Sequence, residues 1–420
     1  MATRVIVLRV GLLFLLAMSA SAQYPSSPSS PDSYPSPGSY PSPGYPDGYQ
    51  GEGEAVPPRN VTCKDSERKR SGCTSTCPAR CPQQCIVLCP DCKTFCNDEV
   101  KPPKPVPPPA MFVFGDGALD VGNNAYLPKT ETEEGFPPQV SKSSSGRFSN
   151  GANLADTVAT SIGFEQSPPA YMSLKGGLNM WGANYASTGA GIKISTNGER
   201  SISLPKQLEN FKLTRSQMEN KVGGDAKMRE LLSKSIFLIS IGGQDLDPRW
   251  NVESGYPREQ TELQELMSLY GDFVTSLYDM GARKLAIVNV GLIGCMPQHY
   301  MYECDQSLND KATAFGAALK PLMADLVSKK SGLSFSIGDF YGFTTAVFAN
   351  PSNYGLVNTR DSCSQWGYPD WTYCYNPDGY WFWVPEFMTD RASKLTAAAF
   401  YYGPPQFTFP ITYKALLEKK

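Results

Sequence analysis

Four nearly continuous apolar runs constrain this chain more than any other feature. They are MFVFGD at 111–116, SIFLISIGG at 235–243, KLAIVNVG at 284–291 and LSFSIGD at 333–339. Each has the length of a strand and stops at glycine or aspartate. A strand with one wet face alternates apolar and polar residues, whereas a run without that alternation is covered on both faces. Between the runs lie helix-like stretches such as QELMSLYGDFVTSLYDMGAR at 264–283, whose apolar residues recur every three to four positions. Strands alternating with helices predict an α/β domain over 110–420, with a parallel sheet and helices on both faces. The crevice of such a sheet lies at the carboxyl ends of its strands. The segments FGDG, SIGGQD and VGLIGC all fall at such ends.

The residues before 110 read as appendages. Arg4 and Arg9 precede the apolar run VGLLFLLAM, and Ala20-Ser21-Ala22 offers a cleavage site, so 1–22 is expected to be a signal peptide. That run is too short to span a bilayer, which needs about 20 apolar residues, and no later run approaches that length, so no membrane span is expected. Residues 23–59 form a Pro/Ser/Tyr-rich tract with a loose YPSPGS repeat that cannot bury a core. It resembles extensin-like plant cell-wall sequences, and it reads equally as a plain spacer. Residues 60–97 hold eight of the twelve cysteines. Cys73 to Cys96 step at or near four residues, a spacing that lines one face of a helix and favours bridges to a neighbouring segment. An even cysteine count behind a signal peptide reads as disulfides, with zinc at Cys89-x-x-Cys92 the rival. This module resembles the Cys-rich parts of secreted plant proteins, root-cap-type proteins among them. The sequon Asn60-Val61-Thr62 is the expected glycosylation site, and a proline-rich linker, 98–109, follows the module.

Charge narrows the partners. With a net charge of -2 and one short run of mixed sign, Glu67-Arg68-Lys69-Arg70, nucleic acid is not an expected partner. No cofactor or metal motif stands out in the main domain.

Seven segments in order then carry a specific resemblance: FVFGDGALDVGNN, GRFSNGANLADTVA, WGANYASTGAGI, ISLPKQLENF, SIFLISIGGQD, GARKLAIVNVGLIGCMPQ and FYYGPPQFTFPITY. From Met111 to the end the chain resembles the plant-type GDSL esterase/lipase family, a branch of the SGNH hydrolases. The resemblance implies an SGNH-hydrolase-like fold and ester hydrolysis. In that chemistry a serine after Gly-Asp is activated by a C-terminal histidine and an aspartate, and an asparagine and a glycine N–H stabilise the oxyanion.

This chain departs at each side-chain position of that set. Gly117 stands at the serine position and Gln244 at the asparagine, next to a retained Asp245. Where the family reads roughly YxFWDxxHPTE, Val384 replaces the aspartate and Phe387 the histidine. Gly189 is the match for the oxyanion glycine, and Asp116 and Asp245 are expected in the cleft. The single histidine, His299, reads as a surface residue far from the C-terminal loop. Glu386 is a candidate base for an activated water, with no nucleophile at 117 to serve. A buried aspartate without its histidine would be an unpaired charge, so the joint change to Val384 and Phe387 avoids a cost of several kcal/mol, about 3–5 when one partner of a buried pair is lost. Neutral decay is the competing account. The resulting expectation is a secreted, extracellular, non-catalytic binding or scaffold protein of the cell wall, with polysaccharide or an apolar or ester ligand as partner. The alternatives are a weak esterase or acyltransferase acting on lipid esters or acetylated polysaccharide, and a wall protein whose arm is the working part. The stretch WGYPDWTYCYNPDGYWFW at 366–383 either stacks on sugars or packs the core beside a Cys363–Cys374 bridge. Cys295 and Cys304 are the other expected local pair.

Overall fold

The computed structural model describes residues 60–62, 74–76, 85–88, 93–96, 105–127, 146–247, 259–297, 303–367 and 370–419. The signal peptide, the Pro-rich arm, His299 and most of the Cys-rich module lie outside them. Within that module, β1 (Asn60–Thr62) pairs antiparallel with β2 (Thr74–Thr76), and β3 (Cys85–Leu88) with β4 (Lys93–Cys96). The sequon asparagine thus sits in a strand. The helical face expected from the four-residue cysteine step is not formed at 85–88 and 93–96, which pair as antiparallel strands with Cys85 in register with Cys96. The cause is local chemistry: Ile86 and Val87 are β-branched and favour extended backbone.

The four long apolar runs form the expected parallel strands: β5 (Met111–Gly115), then after α1 (Leu154–Ser161) the short β6 (Gly182–Asn184). Helices α2 (Leu204–Val222) and α3 (Asp225–Lys234) lead to β7 (Ile236–Ser240), and α4 (Gly243–Leu246) and α5 (Glu259–Met280) to β8 (Lys284–Val288). Next come α6 (Gln306–Lys329), β9 (Ser334–Gly338) and α7 (Phe340–Ala349). Alternate residues of each strand enter opposite cores, as the two-residue repeat of a strand requires. Phe112, Phe114, Phe237, Ile239, Leu285 and Ile287 face the core shared with α2, α5 and α6. Met111, Val113, Ile236, Leu238, Ala286 and Val288 face the core shared with α1 and α7. Both faces are covered, which is why the runs show no apolar/polar alternation.

The chain closes with small elements that sequence periodicity did not reveal. A parallel pair, β10 (Asn358–Ser362) and β13 (Tyr380–Val384), brackets the hairpin of β11 (Ser364–Gly367) and β12 (Asp370–Tyr373). Strand β14 (Phe387–Met388) turns back on β13, and α8 (Asp390–Tyr401), β15 (Thr408–Phe409) and α9 (Tyr413–Glu418) complete the second core. Strand order in the main sheet is β15-β9-β8-β7-β5-β6, with β15 antiparallel to its neighbour. The chain runs from β5 outward to β6, then crosses to β7 on the other side. The order therefore reverses between β5 and β7, and that reversal opens a crevice beyond their carboxyl ends.

Candidate functional site

The crevice is floored by the loops that leave β5 and β7. The β5 loop begins at Asp116, whose N–H donates to the Ser240 carbonyl at 3.0 Å and so continues the pairing of the two strands. Its Oδ1 accepts the Ala118 N–H at 3.2 Å. Burial pushes the Asp116 carboxyl up to about 7, and the nearby charges of Asp245 and Glu386 reinforce the rise against the Ala118 hydrogen bond.

Three buried side chains hold this loop, and sequence reasoning assigned no role to them. Gln207 on α2 is fully buried; its Oε1 accepts the Gly115 N–H at 2.9 Å, and its Nε2 donates to the carbonyls of Gly115 and Ile202 at 2.8 and 2.7 Å. Asp120 accepts the N–H groups of Gly122, Asn123 and Thr188 at 2.8–2.9 Å, tying the β5 loop to the β6 loop. Burial raises its pKa against those donors. Asn123 donates through Nδ2 to the Asn184 and Ala186 carbonyls, both at 2.8 Å. An aspartate and an asparagine within a stretch such as DVGNN carry only a weak signal for such clamps, because the partners that join the two loops, Thr188 for Asp120 and Asn184 and Ala186 for Asn123, lie more than 60 residues away.

The β6 loop carries Gly189, at φ +83, with the Asn197 amide packed where a side chain would start. Only glycine fits there. Asp245 on α4 does not line the crevice. Its carboxylate instead accepts Ile192 N–H at 2.9 Å, Lys193 N–H at 3.1 Å and the Thr196 hydroxyl at 2.7 Å, which fixes this loop from behind. Burial pushes Asp245 up to about 6, and these three donors limit the rise. Gln244, next to it, does line the crevice, and its Oε1 is buried with no hydrogen-bond partner.

The β13–β14 hairpin supplies the third wall. Val384 is fully buried and lies opposite Phe387 across the turn Pro385-Glu386. Phe387 stacks on Phe148 with ring centroids 4.9 Å apart, and together with Trp383 and the half-buried Cys374 they form a small apolar cluster around Cys363. The disulfides Cys363–Cys374 and Cys295–Cys304 are both formed, with Cα separations of 4.8 and 4.4 Å. Trp381, Phe382 and Trp383 are buried, which answers the packing question for that end of the aromatic stretch, while Tyr375 stands fully exposed. After the hairpin, Thr389 caps α8 by accepting the Ala392 N–H at 3.1 Å.

These walls bring Gly117 and Phe387 together. A Cβ placed on Gly117 would overlap Cε1 of the Phe387 ring, and would stand 2.9 Å from its Cζ and 3.1 Å from the Thr188 hydroxyl. Gly117 does not adopt a left-handed backbone, so the ring, not the main chain, excludes a side chain there. What remains is a cleft of about 110 Å³ with Asp116 and Gln244 at its floor and Phe148, Phe340, Trp381 and Phe387 among its walls. No hydroxyl nucleophile stands at the end of β5. Among the described residues no group of three or more histidine, cysteine, aspartate or glutamate side chains is placed to hold a metal, and no helix is long and apolar enough to cross a membrane.

A twisted parallel sheet covered on both faces, with its cleft at the strand-order reversal and its floor on a Gly-Asp turn, defines the α/β class in which SGNH-type hydrolases fall. Residues 111–384 match the GDSL-like lipase/acylhydrolase family. The chain belongs to that family. It is 32% identical over 297 residues to GDSL esterase/lipase At1g29660 of Arabidopsis thaliana, covering 66% of this chain and 82% of that protein. It is 30% identical over 339 residues to GDSL esterase/lipase At4g16230 of the same plant, covering 74% and 92%.

Proposed function

We propose that this protein is a secreted, non-hydrolytic GDSL esterase/lipase-like protein whose cleft binds an apolar or ester-like ligand as part of an extracellular, cell-wall scaffold. In this reading residues 1–22 are the signal peptide, 23–59 the arm, 60–97 a disulfide-rich module glycosylated at Asn60, and 98–109 the linker to the α/β domain. The observation that carries it is the Phe387 ring packed where a side chain at 117 would begin. The family's serine and this phenylalanine compete for one volume, so the chain has exchanged a nucleophile and its base for an apolar contact. Gln244 and Val384 at the remaining family positions agree with that exchange. Loss of one oxyanion donor alone lowers the rate by about 10²–10³, and here the triad positions are changed as well.

Asp116 supports a second reading, a weak esterase. A carboxyl near neutrality at the cleft floor is suited to take a proton from water as the water attacks an ester carbonyl. One experiment separates the two. Hydrolysis of aryl acetates and acetylated sugars is measured for the purified protein, for Asp116→Asn, and for the combined variant Gly117→Ser, Gln244→Asn, Val384→Asp, Phe387→His. The expected result is background turnover by the native chain and turnover above background by the combined variant. Native turnover well above background that Asp116→Asn abolishes would establish the esterase instead.

A further inference from the structure

Two polar groups of this cleft have a character opposite to that of an oxyanion site. An oxyanion site presents hydrogen-bond donors to developing negative charge. Here the Asp116 carboxyl and the Gln244 carbonyl are acceptors, and the latter is buried with nothing donating to it. Among the described residues, those lining the cleft include three carboxylates, Asp116, Asp247 and Glu386, and no lysine, arginine or histidine. Asp247 and Glu386 already engage other groups of the fold. Asp116 and Gln244 are therefore carbonyl-type acceptors open to a ligand, beside the Ser393 hydroxyl, whose Oγ also lines the cleft buried without a partner. The walls above them are aromatic, and the free volume of about 110 Å³ has the scale of a single ring.

Resting on the reading of a non-hydrolytic binding cleft, the geometry points to a small neutral aromatic alcohol or phenol as the ligand class, its ring between Phe148, Trp381 and Phe387 and its O–H donated to Gln244 or Asp116. A carboxylate ligand, the acid product of ester hydrolysis among them, would set acceptor oxygens against the Gln244 carbonyl and a negative charge near Glu386, with no cation among the described lining residues to meet it. A plain hydrocarbon would leave the Gln244 acceptor unsatisfied. An ammonium would have to shed its water for a single uncommitted carboxyl, and burial already holds that carboxyl largely protonated below neutral pH. A hydroxyl has a smaller desolvation cost and satisfies either acceptor.

The test is calorimetric titration of the secreted protein with p-cresol, toluene, benzoate and benzylamine at pH 6, for the native chain and for Gln244→Leu. The expected result is p-cresol binding at least tenfold tighter than toluene and benzylamine, with benzoate weakest. In Gln244→Leu the preference for p-cresol over toluene should fall at least threefold, while toluene still binds, which shows that the variant is folded. A second variant, Phe387→Ala, removes a wall and should shift the preference toward 2-naphthol. Equal binding of toluene and p-cresol, tighter binding of benzoate or benzylamine, no binding of any probe at millimolar concentration, or an unchanged preference in Gln244→Leu would each overturn the inference. Aryl acetate turnover is read on the same preparation. Hydrolysis with intact phenol selectivity defeats the non-hydrolytic reading alone, whereas no hydrolysis with no selectivity defeats this inference alone.

Discussion

Substituting alanine for Gly117 probes the contact on which the functional reading rests. The backbone at 117 accepts an L-residue, so any cost comes from the overlap of the new methyl with the Phe387 ring. That ring cannot retreat freely, because it is 7% exposed, stacks on Phe148 and lies against Val384. Forcing a methyl into such a contact costs about 1–3 kcal/mol. For a domain of this size, with about 2 °C of melting temperature per kcal/mol, Gly117→Ala should melt about 2–6 °C lower. Phe387→Ala alone should cost about 3 kcal/mol through loss of ring burial. Once the ring is gone, adding the methyl at 117 should cost almost nothing, so the double variant should be more stable than the sum of the singles by about 1–3 kcal/mol. The assay is thermal and urea denaturation of the four proteins in one buffer. Additive effects, or a native-like melting temperature for Gly117→Ala, would refute the reasoning, because both require that ring and methyl do not compete.

Two further outcomes follow from the groups that build the cleft. Asp116 and Asp245 bind protons more tightly in the folded state than at their ordinary value of 3.8, so the folded chain holds more protons between about pH 4 and 7 and stability falls as pH rises through that window. Asp116 sets an upper bound of about 4 kcal/mol on its share; melting curves from pH 4.5 to 8 should show the decline, flattened in Asp116→Asn, and a rise instead would contradict it. The exposed pairs of Asp225, Glu209 and Glu230 act with the opposite sign but are screened by solvent. Replacing Gln207 by leucine leaves the Gly115 N–H, the Gly115 carbonyl and the Ile202 carbonyl buried without that partner. A loss of about 3 kcal/mol or more in urea unfolding is expected, and a loss below about 1 kcal/mol would show that water or another group takes its place.

The pattern of apolar runs was sufficient for the parallel sheet, its double cover and the placement of the cleft, because a strand buried on both faces must be apolar throughout and turn at its end. The same local logic failed in the Cys-rich module. There a four-residue step suggested a helix, whereas 85–88 and 93–96 pair as antiparallel strands. Sequence also named Gly117 and Phe387 as departures from a resembling family, each at its own motif.

What tertiary structure alone decided is that these two departures are one contact. They lie 270 residues apart, and no periodicity links them; the β13–β14 hairpin swings the ring onto the end of β5. It likewise turned Asp245 toward the loop behind the cleft, left the Gln244 carbonyl unpartnered and brought in Phe148, Gln207 and Asp120. Backbone preference and hydrophobic pattern act over a few residues and can be read along the chain. Which side chain fills which volume is set by packing between distant segments, and only the folded molecule specifies it.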